Sequence, residues 1–452
     1  MALREDENRA TSFGEEIPKD LDRAERLVEE GLLAGAAEAE VYIKTSATTG
    51  IFLSQGFTTL TLGSERGIAL RVFDGRGNFG HAFSSGTDDA RCREMMRAAV
   101  GALKEAAEGR EGRVFPASRP EEGPARIEGM VDPRVTLWTS EEKRGRLEAA
   151  LKEASWGRPT GTSATCRDGI SRIALANSRG VRSGYVRTLS LATLTRAGNG
   201  GPTLHVERVA AGPDPEGWME AASGLARLQP AGGDEEIDGR DFLLESPAAV
   251  GLVRHLLPDL ADDRAAGEGP GEIEIRRIAS EAVTVVDDGH LPGGVASAPF
   301  DGEGNPTGKV TLVKAGVRID RLRSLRPGEK GRPGSAVRAS YRDLPGPGGT
   351  NLFVEPGTRP LEELLRDLER GFLLATLEGD LREGRSGRPG TRWRGMGWEV
   401  RDGSCVGPCR RLVFLAEPAE LLEGILEVSA RLRFSLRQGV AVGSPDLLIR
   451  RR

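Results

Sequence analysis

Cysteine and histidine are scarce in this sequence, with four residues of each in 452. So few cysteines cannot stabilise a chain of this length through disulfide bonds, which predicts a reducing compartment. Cys405 and Cys409 have a spacing that would supply two thiolates to a metal, but the other ligands would have to come from distant segments. We therefore interpret this pair as small residues of a strand and its turn.

The sequence also lacks long apolar runs and any concentration of positive charge. No segment approaches the roughly 20 apolar residues that cross a bilayer, and residues 1–16 are charged where a signal peptide would be apolar. The 63 Lys and Arg residues against 68 Asp and Glu leave a formal net charge of -5, and the basic residues are scattered. These features predict a cytoplasmic protein with no membrane partner and no direct nucleic-acid partner.

The patterns that are present predict an α+β fold in two domains. Residues 21–35 have the apolar spacing of an amphipathic helix, and short segments rich in Val, Ile and Thr follow, as in an antiparallel meander. The same order recurs after a Gly/Pro-rich linker at about 109–132, which favours an internal duplication. We expect a flexible N-terminus over residues 1–20, an N-terminal α/β domain over 21–235 and a β-rich C-terminal domain over 236–452.

Several motifs occur in an order that resembles the TldD/PmbA family, whose PmbA branch is also called TldE. They are RGIALRVF, NSRG, ESPAAVGLVRHLL, VTVVDDGHLPGG, PFDGEGNPTGKVTLVKAGV and GSCVGPCRRLVF. The most specific part, residues 287–316, holds DDG, FDGEGNPT and LVKAGV in the family's order. The resemblance implies a heterodimer in which the TldD-like subunit is a zinc metallopeptidase and the TldE-like subunit is not.

The resemblance also singles out the helix that contains His255. TldD-like active subunits carry His-Glu-x-x-x-His there, because two imidazoles one turn apart bind zinc and the Glu polarises its water. Here His255 stands at the first His position, Leu256 at the Glu position and Leu260 at the second His position. The family's third ligand, a cysteine, has no counterpart in RLRFSLRQG, residues 431–439. The resemblance therefore implies a degenerate site with no zinc, the alternative being zinc held by a non-standard ligand set.

The same segment permits three local predictions. Ser246 precedes a proline and is expected to cap the helix N-terminus. Pro258 is expected to end the helix. We interpret His255 as a partly buried histidine satisfied by a hydrogen bond rather than as a ligand.

A second cluster of polar residues comprises Asp287, Asp288, Gly289 and His290. A structural turn is the favoured interpretation, because glycine and aspartate are common turn formers. Lining of a peptide-binding groove is the alternative. The carboxylates Asp301 and Glu303 allow the same two interpretations.

Three functions remain compatible with these observations. The favoured one is a non-catalytic, zinc-free TldE/PmbA-like subunit that pairs with a TldD-like metallopeptidase to bind and process unfolded or modified peptides. The alternative is a metallopeptidase active on its own. A DNA gyrase regulator, suggested by the family's older description, is disfavoured by the acidic balance. Homodimer and heterodimer both stay open.

Overall fold

The computed structural model describes residues 13–54, 56–76, 78–105, 125–155, 161–197, 204–228, 233–237, 239–260, 273–324, 334–383, 389–437 and 440–450. The predicted flexible N-terminus and the predicted linker therefore lie largely outside the described residues. Within these ranges, no helix is both long enough and apolar enough to cross a membrane.

An antiparallel six-stranded sheet forms the N-terminal part, in the order β3-β2-β1-β4-β5-β6. Its strands are β1 (Glu38–Ser54), β2 (Phe57–Phe73), β3 (Phe79–Ser84), β4 (Thr162–Asn177), β5 (Arg182–Arg196) and β6 (Leu204–Ala210). The helices are α1 (Ile17–Leu33), α2 (Asp89–Glu105), α3 (Arg134–Leu137), α4 (Ser140–Ser155) and α5 (Pro215–Arg227). Each half of the sheet thus has helix, three strands and helix in the same order, while the duplication stays a prediction.

The two faces of this sheet have different partners because strand side chains alternate. Val41, Ile43 and Ile51 of β1 belong to apolar clusters shared with the helices. Tyr42, between the first two, packs instead with Phe300 of the C-terminal part. The helices therefore cover one face, where Met396 of the C-terminal part also joins the cluster around Ile51, and Phe300 of the C-terminal part lies against the other face.

Two further sheets make up the C-terminal part. The seven-stranded sheet has the order β21-β22-β15-β10-β11-β12-β9, and the eight-stranded sheet has the order β20-β23-β8-β16-β17-β19-β7 with β18 paired to β17. Buried residues of both sheets and of helix α6 (Ser246–Val253) form one apolar core. That helix is therefore held between the sheets.

The bounds of the remaining elements are as follows. The strands are β7 (Asp234–Glu236), β8 (Phe242–Leu244), β9 (Arg276–Arg277), β10 (Val285–Asp288), β11 (Lys309–Lys314), β12 (Val317–Arg318), β13 (Ala336–Val337), β14 (Gly346–Pro347), β15 (Asn351–Val354), β16 (Arg370–Glu383), β17 (Pro389–Arg401), β18 (Ser404–Pro408), β19 (Arg411–Ala416), β20 (Ile425–Val428), β21 (Arg433–Arg437), β22 (Val440–Ser444) and β23 (Leu447–Ile449). The helices are α7 (Leu257–Leu260), α8 (Leu361–Asp367) and α9 (Pro418–Glu423).

The predicted α+β class, with antiparallel meanders before a β-rich C-terminal part, is confirmed. The helix predicted from residue 21 begins at Ile17, with a proline in its first turn, and residues 13–15 before it are helical as well. The strand of the eight-stranded sheet that comes first along the chain, Asp234–Glu236, falls at the predicted boundary near residue 235. The boundary itself stays a prediction.

Candidate functional site

The helix that carries His255 begins differently from the prediction. Ser246 is the first helical residue, and the side chain of Asp446 accepts a hydrogen bond from its N–H at 2.8 Å. The Ser246 hydroxyl donates to the carbonyl oxygen of Ser444 at 2.6 Å. The prediction that Ser246 caps the helix is therefore wrong, because an acceptor from a distant strand end takes that role.

The helix also continues past the point where it was expected to end. After α6 the backbone tightens into a 3-10 turn, Arg254–Leu256, and α7 follows over Leu257–Leu260. Pro258 lies in the first turn of α7, where its missing N–H has no intrahelical partner to lose. The prediction that Pro258 ends the helix is wrong for this reason.

His255 lies in the 3-10 turn and is half-buried. Its ring meets the ring of Trp393 on β17 edge-on, with centroids 5.2 Å apart and an interplanar angle of 67°. Burial lowers the pKa of the imidazole below its usual value. The predicted partial burial is confirmed, while the predicted hydrogen bond of the ring stays a prediction.

The other two motif positions lie in the apolar core. Leu256 is 1% exposed and Leu260 is 0% exposed, and both belong to the cluster between the two C-terminal sheets. Hydrocarbon side chains supply neither a ligand nor a general base. The residues present along this helix therefore do not fit zinc, and the described part of the chain contains no group of three His, Cys, Asp or Glu residues placed to hold a metal.

The segment where the family has its cysteine ligand forms β21 beside α6. Here the Ser435 hydroxyl accepts a hydrogen bond from Arg254 Nη2 at 2.9 Å and donates to Glu207 Oε1 at 2.7 Å. These two hydrogen bonds thus link the 3-10 turn, β21 and β6. A guanidinium, a hydroxyl and a carboxylate therefore form hydrogen bonds next to the positions that the family resemblance assigns to metal ligands.

The cysteine pair lies elsewhere. Cys405 is exposed in β18, and Cys409 is buried just after the strand ends. Burial raises the pKa of the Cys409 thiol to about 11, which keeps it protonated at neutral pH.

Asp287 lies at the end of β10 and is buried. Its carboxylate accepts hydrogen bonds from the Thr350 N–H at 2.7 Å and from the Thr350 hydroxyl at 3.2 Å. Burial raises the pKa of this carboxyl to about 7, and the Thr350 hydrogen bonds oppose the rise. The carboxyl therefore changes protonation state near neutral pH.

The next three residues form a tight turn. Asp288 Oδ1 accepts from the His290 N–H at 2.9 Å, and a Cβ on Gly289 would come within 2.5 Å of the Thr307 side chain. The buried Nε2 of His290 has no hydrogen-bond partner among the described residues. This geometry agrees with the structural-turn interpretation, and lining of a peptide groove stays a prediction.

Asp301 organises a second turn in the same manner. Its Oδ1 accepts from the N–H groups of Glu303 and Asn305, each at 2.9 Å, and its Oδ2 accepts from the Ala336 N–H at 3.1 Å. Burial raises the pKa of Asp301 to about 6. Asp301 and Glu303 therefore act within the fold rather than as an exposed carboxylate pair.

A buried charge cluster that no sequence motif indicated joins the two parts of the molecule. Glu40 on β1 accepts two hydrogen bonds from Arg71 on β2, at 2.9 and 2.8 Å, and one from Arg338 at 2.5 Å. Arg71 also lies 3.7 Å from Glu303. These four side chains are at most 1% exposed. The four residues come from four separate segments of the sequence, so no spacing signals the cluster.

Comparison with known proteins places this geometry in context. Residues 244–451 match the model of the PmbA/TldA metallopeptidase C-terminal domain. Among curated relatives, a metalloprotease TldD homolog of Buchnera aphidicola is 25% identical over 169 residues, covering 36% of this chain and 35% of that protein. A metalloprotease of Methanothermobacter thermautotrophicus is 25% identical over 235 residues, covering 47% of this chain and 49% of that protein. The chain therefore aligns with less than half of these relatives.

Solved structures resemble the chain over almost its whole length. TldE from Thermococcus kodakarensis has a TM-score of 0.77 at 17% identity and covers 95% of this chain and 98% of its own. A protein from Thermotoga maritima described as a modulator of a DNA gyrase has a TM-score of 0.74 at 18% identity, covering 95% and 98%. At these identities the likeness shows a shared fold.

Proposed function

We propose that this chain is a zinc-free TldE/PmbA-like subunit of the TldD/PmbA family, whose C-terminal domain model matches residues 244–451, and that it has no peptidase chemistry of its own. It pairs with a TldD-like metallopeptidase and helps to bind unfolded or modified peptides. One observation carries the proposal: the motif positions for the general base and the second histidine are buried leucines of the core. A catalytic zinc needs three protein ligands and an activated water.

A surface groove in the C-terminal part supports the peptide-binding half of the proposal. The groove has a volume of about 670 Å³ and is lined by residues of β9, α9 and β20, among them Arg277 and Leu426. Strands β9 and β20 are each the outermost strand of their sheet within the described part of the chain. Outermost strands offer backbone groups to which an extended peptide can add as a further strand.

The first test is the zinc content of the chain purified alone, without chelators or a metal affinity column. We expect well below one zinc per chain, because a single imidazole does not bind zinc firmly. Stoichiometric zinc that disappears in His255→Ala would overturn the proposal and favour the alternative, a metallopeptidase with a non-standard ligand set.

The second test is proteolysis of an unstructured peptide by this chain together with a TldD-like partner. We expect His255→Ala to leave the rate nearly unchanged, because the ring contacts Trp393 and no catalytic group. The matched control is the loss of a zinc ligand in the partner, which should abolish proteolysis. A loss of comparable size from His255→Ala would contradict the proposal.

A further inference from the structure

A second cavity lies where the two parts of the molecule meet beside the degenerate helix. It has a volume of about 370 Å³ and is lined by residues of β6, α6, β16 and β21. Three arginines from three different segments line it: Arg208 of β6, Arg254 of the 3-10 turn and Arg433 of β21. The cavity therefore presents guanidinium groups close to the place where the family motif would supply metal ligands.

Arg208 has few direct polar contacts among the described residues. Its Nη1 donates to the carbonyl oxygen of Glu207 at 3.1 Å, and its buried Nε has no hydrogen-bond partner. Within the described part of the chain, Arg208 forms no ion pair. Burial and, to a smaller extent, the charge of Arg433 lower the pKa of Arg208 to about 10, while the more distant charges of Asp214 and Glu245 oppose this shift without forming an ion pair. A cation that is buried without a paired carboxylate costs free energy, and a bound anion offsets that cost.

The carboxylates that line the cavity are engaged elsewhere or lie at its rim. Glu207 Oε1 accepts from the Ser435 hydroxyl and from the Leu436 N–H, at 2.7 and 2.9 Å. Asp214 Oδ1 accepts from the Gly217 N–H at 3.0 Å as the N-cap of α5. Glu378 is exposed. None of them forms an ion pair with Arg208.

The other two guanidiniums have partners and extend the positive surface around Arg208. Arg433 pairs with Glu220 at 2.5 Å, and Arg431 shares that same carboxylate. Arg254 Nη2 donates to Ser435 Oγ at 2.9 Å. Glu220 is thus shared by two arginines, and the carboxylates of Asp214 and Glu245 act on Arg433 only from beyond ion-pair distance.

We propose that this cavity binds a carboxylate of a peptide, with Arg208 as the group that contacts it. A guanidinium presents parallel N–H donors that match the two oxygens of a carboxylate. This site deepens the proposed function and rests on it, because the proposed function is what makes the ligand a peptide. The carboxylate comes either from the peptide C-terminus or from an Asp or Glu side chain, two sources with the same chemistry.

The experiment measures binding of fluorescent unstructured peptides to the isolated full-length chain by anisotropy. Three peptides of otherwise equal sequence are compared: a free C-terminus with acidic residues, a C-terminal amide with acidic residues, and a free C-terminus with Asp and Glu replaced by Asn and Gln. We expect one of the two replacements to weaken binding by about tenfold or more, which identifies the source of the carboxylate.

The variant is Arg208→Gln, with Arg182→Gln as the matched control, because Arg182 is 41% exposed and pairs with Asp22 and Glu25 on the surface. We expect Arg208→Gln to weaken binding about tenfold or more while its thermal midpoint without peptide is equal to or above that of the unchanged protein. Arg182→Gln should bind normally.

Three results would each overturn the proposed carboxylate site. They are equal affinity for all three peptides, equal affinity of Arg208→Gln and the unchanged protein, and no binding of any peptide at millimolar concentration. The proposed function fails separately, on zinc content and partner-dependent proteolysis, because the binding assay contains no partner.

Discussion

The Asp287 carboxyl shows how a single buried acid makes stability depend on pH. Its pKa is raised from 3.8 to about 7 in the folded protein, so the folded state holds a proton that the unfolded chain has released. Unfolding therefore becomes easier as pH rises from about 4 through about 7. Asp301, with a pKa raised to about 6, acts in the same direction.

Replacing this carboxyl by an amide should remove part of the pH dependence. In Asp287→Asn the side-chain oxygen can still accept from the Thr350 N–H, but no proton is released. A pKa of 3.8 in the unfolded chain and about 7 in the folded protein lowers the free energy of unfolding by roughly 4 kcal/mol at most, between a pH below both values and a pH above both. We expect the thermal midpoint of Asp287→Asn to fall less between pH 5 and pH 8 than that of the unchanged protein. Asp288→Asn is the control, and an equal fall in all three proteins would contradict the assignment.

At the scale of the element, the α6 to α7 segment has the geometry of a core helix. Its inward residues pack with strands of both C-terminal sheets, and its tightened turn places His255 against Trp393. Packing density in such a core leaves little room for a polar group or a bound ion. The side chains that fill the motif positions therefore contribute to folding.

Truncation at a motif position should accordingly cost stability. Leu256→Ala is expected to lower the free energy of unfolding by about 2–5 kcal/mol, because the side chain is 1% exposed and its loss leaves a cavity. Denaturant unfolding followed by tryptophan fluorescence measures this. His255→Ala is the neighbouring control and should cost less, since the ring is half-buried. A cost for Leu256→Ala no larger than for His255→Ala would contradict the core assignment.

At the scale of the whole molecule, the two parts are joined by charge as well as by apolar contact. Glu40 binds arginines from both parts, and the Arg338 guanidinium lies 4.6 Å from the centroid of the Tyr42 ring. The Tyr341 ring lies so close to Gly67 that a Cβ there would come within 2.3 Å of it. The relative position of the two parts depends on this contact.

Removing the central carboxylate should therefore destabilise the entire molecule. Glu40→Gln leaves Arg71 and Arg338 buried with less compensation, and breaking a buried pair in this way typically costs about 3–5 kcal/mol. The thermal midpoint and resistance to limited proteolysis measure the effect. Glu38→Gln is the control, because its pair with Arg179 is partly exposed and should contribute at most about 1 kcal/mol. Equal effects of the two substitutions would refute a special role for the buried cluster.

Local pattern was sufficient for several features of this protein. Short segments rich in Val, Ile and Thr predicted the strands, and helical spacing predicted the amphipathic helix near residues 21–35, because each signal depends on a few neighbouring residues. The identity of Leu256 and Leu260 at the motif positions is likewise visible in the linear order. The cap and the end of the helix that contains His255 were predicted wrongly, because Asp446 lies at a remote strand end and Pro258 falls in the first turn of α7, after the 3-10 turn.

Tertiary structure alone decided which charges meet. Arg208 and Arg433 line one cavity, and Glu40 and Arg338 form one buried pair, although each pair is far apart in the chain. The members of each pair come from separate segments of the chain, so nothing in their spacing indicates that they meet. By itself the sequence determined the fold class and the residues at the motif positions, since both follow from local order. Packing of one part against the other determined the arginine cavity and the charge cluster, because only folding brings those side chains together and removes water from them.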